Sequence, residues 1–351
     1  MLRIIDDRDA GQLLRRRSAR LEEAERIVGP IIEDVRKHGD RALVRYARKL
    51  DGLDRKAASV AVPAPEMDAA YASLAPAFRR AVRRSSRHIR GFARLQLPRP
   101  VSARLGDGQR VGQIVQPLDA MAAYVPSGRY PLPSTVLMTV IPAQVAGVPK
   151  TFVASPRPSP EILGVSRQLG VSGVFRMGGA HAIAAFAFGT ETVPRVDRIV
   201  GPGNIYVTAA KKLLAGVVGI DFVAGPTEIL IIAGDGDAKA IAADLLAQAE
   251  HDVEASAILV TTSRRLGAAV QAEVEAQLKT LPTAPTASAA IRNNSAVILV
   301  PSLERAIELS NRFAPEHLNI PDRSLLAGIT SAGIRLKLRI APGILDFALS
   351  G

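Results

Sequence analysis

The chain has 351 residues, 48% of them hydrophobic and 22% charged, which is too apolar for a disordered polymer and long enough for about two domains. Its net charge of +12 raises nucleic acid as a partner class, but aromatics for base stacking make up only 4% of it. The absence of cysteine excludes a disulfide framework, a thiolate-ligated zinc or iron–sulfur centre and a thiol nucleophile, so any metal must be held by His, carboxylates or amides.

The start, Met1 to Asp9, turns acidic at once and lacks a signal-peptide core. No apolar run approaches the roughly 20 residues of a membrane span, so a cytoplasmic protein is expected. Residues 12–50 read as helices, with Leu21, Ile27, Ile31, Ile32 and Val35 at helical spacing and a turn at Gly39-Asp40. Residues 67–95 are helical again and hold much of the positive charge. There Arg80, Arg83, Arg84, Arg87, Arg90 and Arg94 share one face. With few aromatics and no nucleic-acid motif, that stripe reads as a solvated face rather than a phosphate contact. Residues 101–116 alternate as short strands.

From Tyr124 the texture changes. A Pro/Gly-rich loop leads to a helical run ending at Ala146, and then short β-rich runs alternate with helices. Strands are expected at Thr151–Ser155, Gly173–Arg176 and Arg198–Val200, with helices at Pro160–Leu169, Ala180–Phe188 and Ile205–Ala215. Beyond the Ala224-Gly225-Pro226 turn the pattern resumes. Strands are expected at Ile229–Ala233, Ala257–Thr261 and Ala296–Val300, and helices at Ala238–Glu250, Leu266–Leu278 and Leu303–Phe313. Such alternation predicts α/β architecture: two Rossmann-like parallel-sheet domains with a cleft between them.

Single motifs are weak. Gly201-Pro-Gly203-Asn204 and Gly234-Asp-Gly236 lie between a strand and a helix but lack the third glycine of a dinucleotide fingerprint, and each reads best as a tight turn. Gln248 and His251 are i and i+3 at a helix end, able to reach one ion or substrate but amounting to half a tetrahedral shell. Glu316 and His317 are adjacent, so they project differently, which suits two separate acid–base tasks or merely two exposed polar side chains.

Together the motifs are specific. Ile220 to Ala233, Ala243 to His251, Gly178 to Thr190, Val200 to Thr208, Tyr124 to Gly128, Pro133 to Met138, Phe313 to Leu318 and Ile32 to Leu43 resemble, in order and register over about residues 15–333, the signature of the histidinol dehydrogenase family. The resemblance implies oxidation of L-histidinol to L-histidine through L-histidinal in two NAD-dependent steps, with zinc, in a homodimer without nucleic-acid or membrane partners. It implies zinc ligands at Gln248 and His251, proton transfer by Glu316 and His317, and substrate contacts at Thr227, Gln248, His251, Glu316 and His317. The NAD contacts fall on Tyr124, His181 and Asn204. By the family's order, 15–123 plus 229–333 form a first domain and 124–228 an inserted, NAD-binding second one, with an N-terminal segment at 1–14 and an atypical tail at 334–351. Tyr124, Asn204, Gln248 and His317 are expected to face the cleft.

Two departures from the family pattern stand out. His181 replaces the usual Gln, which predicts weakened rather than abolished NAD binding. Beyond Gly333 the family supplies an Asp ligand, a substrate-binding His, and a further Glu and His. Here no His follows His317, and Asp346 is the only carboxylate after Asp322. Half of the zinc shell has no counterpart, which predicts weak zinc binding and low histidinol turnover. A competing expectation is an inactive, truncated or frameshifted homologue that keeps the fold and at most NAD binding.

Overall fold

The computed structural model describes residues 1–127, 131–223, 227–320, 323–332, 334–341 and 344–349, with side chains described except at 12–20, 323 and 334–349. The Ala224-Gly225-Pro226 turn, residues 128–130 and the side chain of Asp346 lie outside the described residues.

In chain order the elements are β1 (Arg3–Asp6), α1 (Gly11–Tyr46), α2 (Ala64–Ser73), α3 (Pro76–Leu95), β2 (Val101–Arg104), β3 (Arg110–Gln113), β4 (Ala120–Tyr124), α4 (Pro133–Val145), β5 (Lys150–Ser155), α5 (Pro160–Leu169), β6 (Gly173–Arg176), α6 (Gly179–Phe188), β7 (Arg198–Val200), α7 (Ile205–Leu214) and β8 (Gly219–Ile220). They continue with β9 (Glu228–Ile232), α8 (Ala238–Ala249), β10 (Ser256–Thr261), α9 (Arg264–Leu278), α10 (Ala284–Asn294), β11 (Ala296–Leu299), α11 (Leu303–Phe313), β12 (His317–Asn319), β13 (Ile334–Ala341) and β14 (Ile344–Leu349).

The chain divides into two compact units, residues 21–224 and residues 1–20 with 225–351. In the first, a parallel sheet has the order β6-β5-β4-β7-β8. Both its faces are covered, as a parallel sheet requires. Ala120, Ala122 and Tyr124 face a core shared with Ala24, Val28, Ile32 and Val35 of α1, while Met121, Ala123 and Val125 face one shared with Val136, Val140 and Ile162. The sequence reading grouped residues 15–123 with 229–333, but β4 hydrogen-bonds to β5 and β7, which puts residues 120–124 in the middle of the sheet of the 21–224 unit. The turn expected at Gly39 is a break inside the α1 run. Gly39 has φ +48°, and a Cβ there would stand 2.5 Å from the Glu191 carboxylate that accepts the Asp40 amide.

In the second unit the order is β1-β11-β10-β9-β12-β13-β14, all parallel except β14. The N-terminal segment before residue 15 supplies an edge strand paired with β11. Alternate residues of β9 serve opposite cores. Ile229 and Ile231 pack with Leu245 and Val270, and Leu230 and Ile232 with Leu309 and Phe313.

The Arg stripe lies on α3, where Val82, Ser86 and Ala93 make the buried side. Among the described residues, no helix is long and apolar enough to cross a membrane.

Candidate active site

Four of the candidate residues gather at one edge of the sheet in the 1–20 and 225–351 unit. β9 and β12 run parallel with His317 opposite Ile229, so the starts of both strands, Thr227-Glu228 and Glu316-His317, lie side by side. The crossover helix α8 runs back from the far end of β9 and returns Gln248 to the same edge, where its side-chain amide donates to the Thr227 hydroxyl. That bond orients the Gln248 amide, leaving its carbonyl oxygen as the ligating atom and the Thr227 proton for another acceptor. His251 follows at the helix end, its amide donating to the Gln248 carbonyl at 3.3 Å and its side chain exposed.

Glu228 organises the pair across from it. Its backbone amide donates to Glu316 Oε2 at 3.4 Å, and its carbonyl oxygen lies 3.1 Å from His317 Nδ1. The imidazole and the Glu316 carboxylate are 3.7 Å apart, and both side chains reach solvent. One backbone unit, that of Glu228, holds both.

These residues occupy the N-terminal ends of their strands. Ligands of open α/β sheets ordinarily sit at the carboxyl ends. At that opposite edge lies Gly234-Asp-Gly236, and the next residue, Asp237, caps α8 by accepting from the Lys239 amide.

In the 21–224 unit the candidates follow the ordinary rule. The chain moves outward from β4 through β5 to β6, then returns to the other side of β4 with β7. In open α/β sheets ligands ordinarily bind beside such a reversal, which here falls at the carboxyl ends of β4 and β7. Tyr124 ends β4. Its hydroxyl accepts from the Gly179 amide at 3.2 Å, and burial above all pushes its pKa up to about 12, the Gly179 bond opposing and the Asp51 charge adding to the rise. Gly201 follows β7 at φ +112°, where a Cβ would stand 2.2 Å from the Tyr124 carbonyl oxygen, so glycine alone permits the approach. Asn204 caps α7, its Oδ1 accepting from the Tyr206 and Val207 amides at 3.1 Å each, which leaves its exposed Nδ2 as a donor.

His181 sits differently from the other candidates. It is fully buried, stacks on Tyr46 with ring centroids 5.9 Å apart, and places Nε2 2.7 Å from Asp51 Oδ2. Its ring faces the interior instead of an open surface.

Sequence reasoning missed several residues that build these edges. Lys211, buried on α7, donates to the Gly201 carbonyl at 2.9 Å and pairs with Asp221, which in turn accepts the Gly201 amide at 2.8 Å. Asp51 grips the Gly178 amide at 2.8 Å. Asp244, one helical turn before Gln248, has a carboxyl raised to about 6 by burial, partly offset by a bond from the Asn319 amide at 3.1 Å. The signal available for Lys211 and Asp244 was a charged residue on a helix face otherwise turned to the core.

The histidinol dehydrogenase family model matches residues 14–338. A histidinol dehydrogenase of Rhizobium meliloti is 43% identical over 98% of this chain and 81% of its own length. One from Syntrophotalea carbinolica is 44% identical over 95% and 80%. The crystal structure of histidinol dehydrogenase from Elizabethkingia anophelis superposes with a TM-score of 0.78 at 35% identity, covering 89% of this chain and 74% of that one. A family match over most of the chain, relatives above 40% identity and a shared architecture lead to one conclusion: the chain belongs to the histidinol dehydrogenase family.

Proposed function

We propose that the chain catalyses the NAD-dependent oxidation of L-histidinol to L-histidine through L-histidinal, as a cytoplasmic homodimer. The observation that carries the reading is the His317 ring held at Nδ1 by the Glu228 carbonyl, which leaves Nε2 as a proton acceptor. Oxidising an alcohol carbon removes a hydride from carbon and a proton from oxygen. NAD, when bound, supplies the hydride acceptor. His317 Nε2 takes the alcohol proton. Oxidation of the aldehyde requires addition of water, whose proton the Glu316 carboxylate accepts while the Glu228 amide holds its Oε2 in place. Thr227, its hydroxyl oxygen occupied by Gln248, donates to a polar group of the substrate.

The residues of the β4–β7 edge fit a dinucleotide. A topological switch point, a buried Tyr124 hydroxyl that stays protonated and the Asn204 Nδ2 donor at a helix N-terminus are the parts such a cofactor uses. The donor set fits zinc poorly. Gln248 and His251 are two neutral ligands, and among the described residues no group of three or more His, Cys, Asp or Glu could hold a metal. Two ligands do not close a four-coordinate shell, so the proton transfers are assigned to side chains alone.

The test is NADH formation from L-histidinol by the purified chain. Two NADH per histidinol consumed is the expected yield. NADH yield of one with aldehyde accumulating would remove the second step, and no NADH from a folded, NAD-binding sample would remove the activity.

A further inference from the structure

The buried Asp51–His181 pair has no part in the proton transfers. Asp51 closes the helical turn Ala47–Asp51 after α1 and is 7% exposed. One of its oxygens, Oδ2, accepts both the Gly178 amide at 2.8 Å and His181 Nε2 at 2.7 Å. The next amide, that of Gly179, donates to the Tyr124 hydroxyl. The turn leaves no room for a side chain at Gly178. A Cβ on Gly178 would stand 2.3 Å from Pro156 Cγ and 3.0 Å from Asp51 Oδ1. Asp51 thus holds one end of the Gly178–Gly179 turn, and the other end holds Tyr124.

We propose that Asp51, acting through His181 and the Gly178 amide, is a positioning residue of the cofactor edge that fixes the start of α6 and with it the Tyr124 hydroxyl. The proposal rests on the reading that this edge binds NAD. A carboxylate accepting two N–H groups makes charge-assisted bonds, stronger than neutral ones and directional. His181, at the position the family fills with Gln, serves the cofactor here from the interior. The hydrogen bonds of this network all lie within the 21–224 unit, whereas Thr227, Gln248, Glu316 and His317 belong to the other. Its loss therefore acts on NAD and spares the binding of histidinol.

The experiment combines calorimetric titration with NAD and steady-state kinetics on the wild-type chain, Asp51→Asn and Asp51→Ala. Asn keeps an oxygen where both donors converge, without the charge, and Ala removes it. The Kd and KM for NAD are expected to rise about tenfold or more in Asp51→Ala, the scale of losing a hydrogen bond to a charged group. A smaller rise is expected in Asp51→Asn, and the KM for histidinol stays unchanged in both. Adding His181→Ala to Asp51→Ala shifts NAD affinity no further. Wild-type NAD affinity in the folded variants would overturn the proposal while leaving the cofactor reading intact, as would KM values for NAD and histidinol rising together. Should Asp51→Ala not fold, Asp51→Asn decides, and an unchanged KM for NAD there overturns the proposal. A wild-type chain that binds no NAD at millimolar concentration would overturn the cofactor reading itself, and this proposal with it.

Discussion

The His317 ring nitrogen Nδ1 lies 3.1 Å from the backbone carbonyl oxygen of Glu228. A carbonyl oxygen only accepts, so the proton sits on Nδ1 and Nε2 presents its lone pair. The same peptide segment holds Glu316 through the Glu228 amide. One residue of β9 thereby orients both members of an acid–base pair through its backbone amide and carbonyl.

His317→Asn removes the Nε2 base. Loss of a positioned general base typically costs about 10²–10⁴-fold in rate, so kcat for histidinol oxidation is expected to fall in that range with the KM for NAD unchanged. Glu316→Gln keeps the acceptor oxygen but not the base. Aldehyde is expected to accumulate, measured by trapping it during turnover.

Zinc held by Gln248 and His251 alone is expected to leave on dialysis, with low histidinol turnover. Loss of outer-shell partners alone weakens metal sites about 10–100-fold, and missing ligands cost more. The measurement is metal content after dialysis beside NADH formation. One retained zinc per chain with normal turnover would mean that other residues complete the shell.

Lys211→Met leaves Asp221 and the Gly201 carbonyl without their cation. The two side chains are 4% and 16% exposed, so breaking the pair is expected to cost about 3–5 kcal/mol, read from urea unfolding. Adding Asp221→Asn removes the stranded charge, and the double variant is expected to lose less than the sum of the singles.

Asp244 holds its proton to about pH 6 in the fold, against 3.8 for a free side chain. Between about pH 4 and 6 the folded state binds more protons than the unfolded one, so this group's contribution to stability falls as pH rises through that window. Above it the full penalty for a partly buried carboxylate remains. Asp244→Asn keeps an oxygen for the Asn319 amide and cannot ionise. The variant is expected to match wild type below about pH 4 and to exceed it by about 1 kcal/mol at pH 7–8, the figure being reduced for partial exposure. Thermal unfolding of both proteins across the pH range checks it.

Periodicity made most of the two sheets legible. Pro160–Leu169, Gly173–Arg176 and Leu303–Phe313 form the helices and strand expected of them. Ala120–Tyr124 lacks the β-branched residues that mark a strand, and His317–Asn319 is too short to show alternation, so both went unread as strands. Yet these two strands carry Tyr124 and His317. The residue types of the site were legible for the opposite reason: long motifs, rather than propensity, single them out.

The amino-acid sequence by itself determined most of the alternation of strands and helices, the family and the identity of the candidate residues, because those depend on local periodicity and on side-chain chemistry in fixed register. Tertiary structure alone decided where they went. It put Glu316 and His317 beside Glu228 through the pairing of β9 with β12, brought Gln248 to the amino ends of those strands, and turned His181 inward onto Asp51. These partners stand far apart along the chain, Asp51 and His181 by 130 positions. No local pattern encodes such a contact. It exists only once strand order and helix packing bring the two segments together and a buried polar atom must find a partner there.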